Sequence, residues 1–585
     1  MAIQSKHFVN DPDNLVLESL HGLCTLDPAL ALDEQNRVVY QASQDRSKVA
    51  LICGGGSGHE PAHAAFVGDG MLTAAVCGSV FASPGSAQVL SAIERTHNDA
   101  GTLVIVKNYT GDVLNFGLAK EQFAAAHPDR KDSVRFLVVG DDVAVGRTQG
   151  AIVGRRGLAG TVLVYKLAGA YASTGASISE VYDLASSAAS RLATVGVGLE
   201  HTHVPGTATS SESHLKDSEV EIGMGIHNES GAARLSPVPS LKDLTKRLLD
   251  LTLSTSKDDS ERGWLGDQLQ GSGKDELVLV VNNLGGTSEL ELGAIVHETT
   301  AQLAARGIKV ERALKGTYMT SLSMPGYSIT LLLLEPKTKD TVLRLLDAPT
   351  AAPGWPFSSR APASTDFTSA PTATSSASAS GTSIRAQDPT AFDAAVKRAC
   401  EAIRAAEPEL TRYDTVAGDG DCGLTLKTGA EGVLALQPSK VTGDDVLGSL
   451  RAIAGVAAER MGGTSGALYS IFFSALAQGV ASSQAKEVTP DVWASALKSA
   501  LDTLYTYTRA RRPSRTLVDP LAAFIEALSS GFDWNTAAKA ASNAADDTIK
   551  LKAKAGRAAY VGGELDVPDP GAVGVKVLIS AILGH

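Results

Sequence analysis

The chain has 585 residues, 44% of them hydrophobic and 20% charged, with a formal net charge of −12. That length exceeds a single hydrophobic core, so two or more domains are expected, and the acidic balance excludes a broad nucleic-acid-binding face, which needs a basic surface. A phosphate site stays open, because a helix N-terminus, a local lysine or a metal supplies positive potential where it is needed.

In chain order, the first half alternates short β-rich runs with helical patterns. KVALIC (48–53), TLVIVK (102–107), VRFLVVG (134–140) and ELVLVVNN (276–283) are nearly continuously apolar. Such runs predict buried, mainly parallel strands joined by crossover helices. The Ser/Thr/His-rich stretch from Thr202 to Ser218 predicts a connection between two α/β subdomains, about 1–200 and 201–337. From Ala348 to Ser383 the composition shifts to Ala, Pro, Ser and Thr. Such a segment buries too little apolar surface to offset its ordering entropy, which predicts a flexible linker over 338–387, with Trp355 and Phe357 docking on a neighbour. From Asp388 onward, Ala/Leu-rich runs such as AFDAAVKRACEAIRAAEPEL and ALYSIFFSALAQGVASS carry helical periodicity. They predict an all-helical domain of six to eight helices over 388–585.

Three turns of the first half carry chemistry. Gly54 to Pro61 (GGGSGHEP) follows a strand, where glycines let backbone N–H groups face a ligand; Gly56, Ser57 and Gly58 are the candidates for that contact. The spacing fits neither a dinucleotide fingerprint nor a phosphate-binding loop with its lysine, so His59 within the turn points to a small polar substrate. Lys107 ends the next strand and Asp112 opens the following helix, placing a donor and a base at one face; a snorkelling lysine and a helix cap remain the plain alternative. His227, in Met224-Gly225-Ile226-His227-Asn228-Glu229, reads either as a reactive imidazole or as a core histidine at a strand end.

In the second half, Asp414, Asp419 and Asp421 place three carboxylates within eight residues of a Gly-rich stretch that includes Gly420 and Cys422. They repel one another unless a cation sits among them. Magnesium accepts such a set together with phosphate oxygens and waters, and three Asp suffice for two ions; a solvated acidic turn is the alternative, while the spacing of a calcium-binding EF-hand is absent. Gly463, Thr464, Ser465 and Gly466 lie between two helical runs and suit phosphates. Asp569, Pro570 and Gly571 open the last helix, where they can close on a nucleotide.

GGGSGHEP, KNYTGD and MGIH, with RRGLAGTVLVYKLAGA and HTHVPGT between them, resemble the substrate-binding domain of dihydroxyacetone kinases over residues 1–335. GDGDCG, GGTSG and DPGA resemble the ATP-binding half of the same family from about 390 to 585. The resemblance implies that His227 forms a covalent hemiaminal with the ketone. It makes His59 and Asp112 proton-handling groups and Lys107 a substrate contact. It implies ATP and two Mg²⁺ ions as cofactors, and it adds Arg515 and Thr516 to the nucleotide contacts. Arg557 and Tyr560 lie in a further recognisable stretch. One departure stands out: Arg512-Pro513-Ser514-Arg515-Thr516-Leu517-Val518-Asp519 keeps the Arg-Thr core but has Pro-Ser where the family has Gly-Asp.

The activity implied is phosphoryl transfer from ATP to dihydroxyacetone, with D-glyceraldehyde as a second substrate. Alternatives are an FAD-splitting lyase that forms cyclic FMN, using Mn²⁺ at the same aspartates, and a catalytically silent ligand-binding regulator. A homodimer with each helical domain facing its partner's α/β domain is expected. The five cysteines, Cys24, Cys53, Cys77, Cys400 and Cys422, show no CxxC pair. With no secretory signal and no stretch of about twenty apolar residues, they predict a cytoplasmic protein.

Overall fold

The computed structural model describes residues 6–207, 214–271, 273–356, 359–364, 383–554 and 565–584. The chain divides into two compact units, Met1–Thr372 and Ala373–His585.

The first unit opens with α1 (Leu15–Leu26), β1 (Leu30–Asp33) and β2 (Val38–Gln41). It continues through β3 (Ala50–Ser57), β4 (Ala74–Val80), α2 (Ser86–Thr96), β5 (Thr102–Lys107), α3 (Thr110–Ala126) and β6 (Val134–Val139). These strands form a six-stranded sheet ordered β1-β2-β4-β3-β5-β6. Its four inner and later strands, β4, β3, β5 and β6, run parallel, while β1 and β2 are antiparallel additions. All eight residues of β3 and all six of β5 are buried. The reason is coverage of both faces: α2 and α3 pack Val89, Ile93, Phe116 and Phe123 onto one, and the helix Gly160–Ala172 covers the other.

After α4 (Arg147–Val153), α5 (Gly160–Ala172) and α6 (Ile178–Ser190), a second sheet begins with β7 (Leu192–Gly198), β8 (Val220–Ile222) and β9 (Ala233–Leu235). It is completed after α7 (Leu241–Leu253) by β10 (Glu276–Asn283), α8 (Glu289–Ala305), β11 (Lys309–Gly316) and β12 (Gly326–Leu333). The order is β11-β10-β12-β7-β8-β9. Helix α5 touches β3 of one sheet and β7 and β12 of the other, which explains why nearly all of it is buried.

Two expectations are corrected here. Mainly parallel strands hold for the first sheet, but in the second only β10 and β11 are parallel. A parallel pair needs a crossover, and α8 supplies one; among the described residues no helix lies between β11 and β12, or between β7, β8 and β9. The subdomain boundary also falls earlier than 200, since β7 already belongs to the second sheet.

The stretch expected as linker from 338 begins with packed structure. Lys339–Leu346 is a helix, α9, whose Val342, Leu343, Leu345 and Leu346 join the first unit's core. Lys166, fully buried, donates to the carbonyls of Leu345 and Ala348 and faces the Trp355 ring. Trp355 docks against Tyr318, as expected of it, while Phe357 lies outside the described residues.

The second unit begins before residue 388, with β13 (Arg385–Ala386) paired to β14 (Glu487–Val488) and Ile384 in the core. Its described helices are α10 (Pro389–Ala417), α11 (Cys422–Leu434), α12 (Val446–Val456), α13 (Gly463–Ser482), α14 (Pro490–Tyr507), α15 (Val518–Ser529), α16 (Trp534–Asp546) and α17 (Pro570–Leu583). They surround an apolar cavity of about 380 Å³, lined among others by Phe392, Leu426, Phe472 and Trp493. Among the described residues no helix is long and apolar enough to cross a membrane.

Candidate active site

The first unit concentrates its polar chemistry where β3 and β5 end, the edge at which open α/β sheets bind ligands. His59 follows β3 and is fully buried. Its Nδ1 donates to the carbonyl of Thr320, in the β11–β12 loop, at 2.8 Å. Its Nε2 lies 3.0 Å from Nε2 of His227. His227 in turn donates from Nδ1 to Glu229 Oε1 at 2.9 Å, and its backbone N–H donates to Oε2 at 2.8 Å. Ser321 holds this loop by donating to the carbonyl of Ile226. The edges of Phe81 and Tyr109 flank the His227 ring, which keeps 21% of its side chain exposed.

Because both Nδ1 atoms are donors, the two facing Nε2 atoms can bond only by sharing one proton. Burial, with the charges of Lys107 and His227, holds His59 well below its ordinary pKa. Burial alone would raise the Glu229 carboxyl, but its hydrogen bonds to His227 and the charge there outweigh this and hold it at about 2. The shared proton therefore lies between a ring whose charged form burial disfavours and a ring that faces a fixed carboxylate. Once it leaves, His227 Nε2 is a bare lone pair.

Lys107 and Asp112 meet beside this pair. Lys107 is fully buried and its Nζ has no hydrogen-bond partner; Asp112 Oδ1 is also unpaired. Burial lowers the Lys107 pKa and raises that of Asp112, and each group's charge opposes the shift in the other. An unpaired buried polar group costs about 1–3 kcal/mol, more if charged, so two adjoining ones mark a place built for a ligand. The glycine that opens this place is Gly55. A Cβ there would come within 3.4 Å of Asp112 Oδ2 and 3.5 Å of Lys107 Cε. Gly56 instead packs against the backbone of Phe81 and Ala82, Gly58 against the Phe81 ring, and Ser57 Oγ donates to the carbonyl of Gly78.

Glu229, Thr320, Tyr109 and Gly55 are the site residues that sequence reasoning did not single out. Glu229 and Gly55 lay inside quoted motifs, and a carboxylate two residues after a reactive histidine is a usable signal. Thr320 meets the His59 ring through its carbonyl, which no side-chain pattern reveals.

In the second unit, one ligand atom each from Asp414, Asp419 and Asp421 lies within 4.8 Å of the others. Asp414 is buried near the end of α10, and its Oδ2 accepts the N–H groups of Asp421 and Cys422, both at 2.9 Å. Asp419 and Asp421 are exposed. Gly420 takes φ +80°, a left-handed turn that brings the acidic loop back on itself. Gly423 lets α11 lie on α10, since a Cβ there would sit 2.5 Å from the Glu407 carbonyl. The Cys422 thiol points into the core, where burial pushes it up to about 12, so its contribution is the N–H given to Asp414. The three carboxylates fit a hard divalent cation, being all-oxygen, closely spaced and open on one side.

Gly463, Thr464 and Ser465 form the first turn of α13; Gly462 and Gly463 have positive φ and nothing within 4 Å of an added Cβ, so this backbone is open to approach. The Gly466 N–H is already engaged by the Gly462 carbonyl. Asp569 caps α17 by accepting from the Ala572 N–H, with Pro570 and Gly571 in the first turn. Burial pushes the Asp569 carboxyl up to about 7, against the pull of that N–H and of Arg515. Arg515 is 1% exposed, donates from Nη2 to the Val567 carbonyl and leaves Nη1 unpaired. The departure at Pro513-Ser514 is accommodated locally: the Ser514 N–H and hydroxyl and the Thr516 N–H all donate to Asp519. Arg557 and Tyr560 lie outside the described residues.

The chain matches the Dak1 domain over residues 21–354 and the DAK2 domain over 416–584. It is 45% identical to a dihydroxyacetone kinase of Pichia angusta, covering 99% of this chain and 98% of the relative. It is 37% identical to the triokinase/FMN cyclase of Homo sapiens, covering 99% of each. Among solved structures it resembles the dihydroxyacetone kinase from C. freundii in complex with AMP-PNP and Mg²⁺, at 30% identity, 99% coverage of each chain and a TM-score of 0.66.

Proposed function

The chain belongs to the dihydroxyacetone kinase family, and from that premise we propose how its residues divide the work. It transfers the γ-phosphate of ATP to dihydroxyacetone, with Mg²⁺ as the metal. In this reading His227 captures the ketone and Asp414, Asp419 and Asp421 hold the metal. The observation that carries it is the chain of contacts from Thr320 through His59 and His227 to Glu229, which orients a partly exposed His227 ring.

The shared proton passes through His59 Nε2 to the carbonyl oxygen as the freed His227 Nε2 adds to the carbonyl carbon. The positive charge left on the His227 ring is balanced by Glu229, so a neutral ketone becomes a held hemiaminal. Glycerol has no such carbon and is excluded by reaction rather than by fit; D-glyceraldehyde has one and is accepted. Asp112 takes the proton of the attacking hydroxyl and Lys107 donates to it. Bound magnesium supplies positive charge to the phosphate oxygens, and the aspartates fix where it sits. Gly463, Thr464 and Ser465 offer first-turn N–H groups to phosphate, and Arg515 with Asp569 borders the nucleotide.

H227A tests this: turnover of dihydroxyacetone should fall by on the order of a thousandfold or more, with nucleotide binding unchanged. Residual turnover near that of the unmodified enzyme, or glycerol phosphorylation at a comparable rate, would contradict covalent capture.

The working species in this reading is a homodimer in which each helical unit serves its partner's α/β unit, since the two halves of the chemistry lie on separate units. Co-expressed H227A and D421N chains should then recover activity that neither has alone; no recovery counts against it. A second activity, formation of cyclic FMN from FAD with Mn²⁺ at the same aspartates, is favoured by the relatives named triokinase/FMN cyclase. It needs no carbonyl capture, so H227A should spare it. Five free cysteines fit a reducing cytoplasm, and co-fractionation with an organelle would overturn that placement.

A further inference from the structure

Near the His59–His227 pair lies a third histidine, His63, that the mechanism above does not use. It is 3% exposed, in the turn between β3 and β4, and its Nε2 has no hydrogen-bond partner. A Cβ on Gly55 would lie 3.3 Å from that Nε2, as well as close to Asp112 Oδ2 and Lys107 Cε. Three polar groups therefore converge on one spot that the missing side chain of Gly55 keeps clear. We infer that His63 is a substrate-contacting residue, the second donor, beside Lys107, to the dihydroxyacetone oxygen that attacks the γ-phosphate. This rests on the reading that the ketone is held at His227.

The argument turns on which nitrogen of His63 carries the proton. Nδ1 lies 2.5 Å from the hydroxyl of Tyr165 on α5, and that hydroxyl lies 2.9 Å from Cys53 Sγ. A phenol is a better donor than a neutral imidazole N–H, and an imidazole nitrogen a better acceptor than a phenol oxygen, so the short contact is O–H···N. The thiol of Cys53 then donates to the Tyr165 oxygen. Burial keeps all three groups neutral: it raises Tyr165 well above its usual range and Cys53 to about 12, and it lowers His63. With Nδ1 an acceptor, the single ring proton sits on Nε2, facing Asp112 and Lys107. A histidine serving only to pack α5 against β3 would leave this N–H unpaired at about 1–3 kcal/mol, a cost an apolar side chain of similar size avoids.

The resulting cradle has two donors, Lys107 Nζ and His63 Nε2–H, and one acceptor, the Asp112 carboxylate. That is the set a reacting hydroxyl needs. Its proton passes to Asp112, its oxygen bonds to the γ-phosphorus as the bond to the β–γ bridging oxygen breaks, and ADP leaves. His63 and Lys107 keep their protons and stabilise the charge that develops on the oxygen.

Replacing His63 by Leu should lower kcat about a hundredfold while changing KM by less than about threefold. H63Q, which returns an N–H near the position of Nε2, should recover at least about tenfold of that loss. Y165F, which frees Nδ1 to take the proton, should also lower kcat. In the unmodified, histidine-labelled enzyme, nitrogen-15 NMR should find the His63 proton on Nε2. A proton on Nδ1, or H63L turnover within about threefold of the unmodified enzyme, overturns the inference; should H63L fail to fold, Y165F and the NMR measurement decide. Mass spectrometry separates this from the reading beneath it. H63L should still carry one dihydroxyacetone adduct, whereas no adduct on the unmodified enzyme would sink capture at His227 itself.

Discussion

The histidine site of the α/β unit is made of buried and half-buried side chains that hold one another, while the carboxylate site of the helical unit is made of side chains that repel one another. His59, His227 and Glu229 are linked by hydrogen bonds of 2.8 to 3.0 Å and rest on the ends of buried strands. Asp419 and Asp421 are exposed on a glycine-rich loop, and Asp414 is anchored by two backbone N–H groups. The first site therefore pays its desolvation on folding and meets its substrate already formed. The second keeps its charges in water, where a bound cation would draw them together. In the proposed reading, discrimination among carbonyl compounds belongs to the first site and dependence on ionic conditions to the second.

The strongest way to break this contrast is D421N. It should reduce turnover by about a thousandfold or more and remove the stabilisation that Mg²⁺ gives, yet leave the dihydroxyacetone adduct on His227 intact by mass spectrometry. Loss of the adduct would mean that the two sites are not independent.

E229Q sharpens the contrast within the first site. Without a carboxylate to hold the Nδ1 proton and balance charge on the ring, kcat should fall about a hundredfold with little change in nucleotide affinity. An effect confined to nucleotide KM would move Glu229 out of this role.

The smallest effect concerns pH. The Asp569 carboxyl is raised from 3.8 to about 7 by burial, so the folded chain keeps a proton there that the unfolded chain has released. Stability of the metal- and nucleotide-free helical unit should therefore fall as pH rises through that window. Thermal melts at about pH 5 and about pH 8 should show the decline, and D569N should flatten it. An unchanged slope in D569N would point to a different titrating group.

Much of the first sheet was legible because its strands are buried on both faces: KVALIC and TLVIVK read as continuous apolar runs and became β3 and β5. The antiparallel second sheet was not, since an apolar run such as ELVLVVNN has the same pattern whichever way its neighbour points. The helix α9 was hidden by its position next to a low-complexity stretch, although Val342, Leu343, Leu345 and Leu346 carry a buried face.

What the amino-acid sequence by itself determined is the division into an α/β and a helical unit and the residue types of both sites, because periodicity and short motifs are local properties. What only the tertiary structure decided is which atoms meet. The His59–His227 contact joins residues 168 apart, the bond to the Thr320 carbonyl joins residues 261 apart, and the choice of Gly55 over Gly56 depends on which face of β3 looks toward α3. Such pairings follow from how the two sheets pack on α5, and a one-dimensional pattern does not contain that geometry.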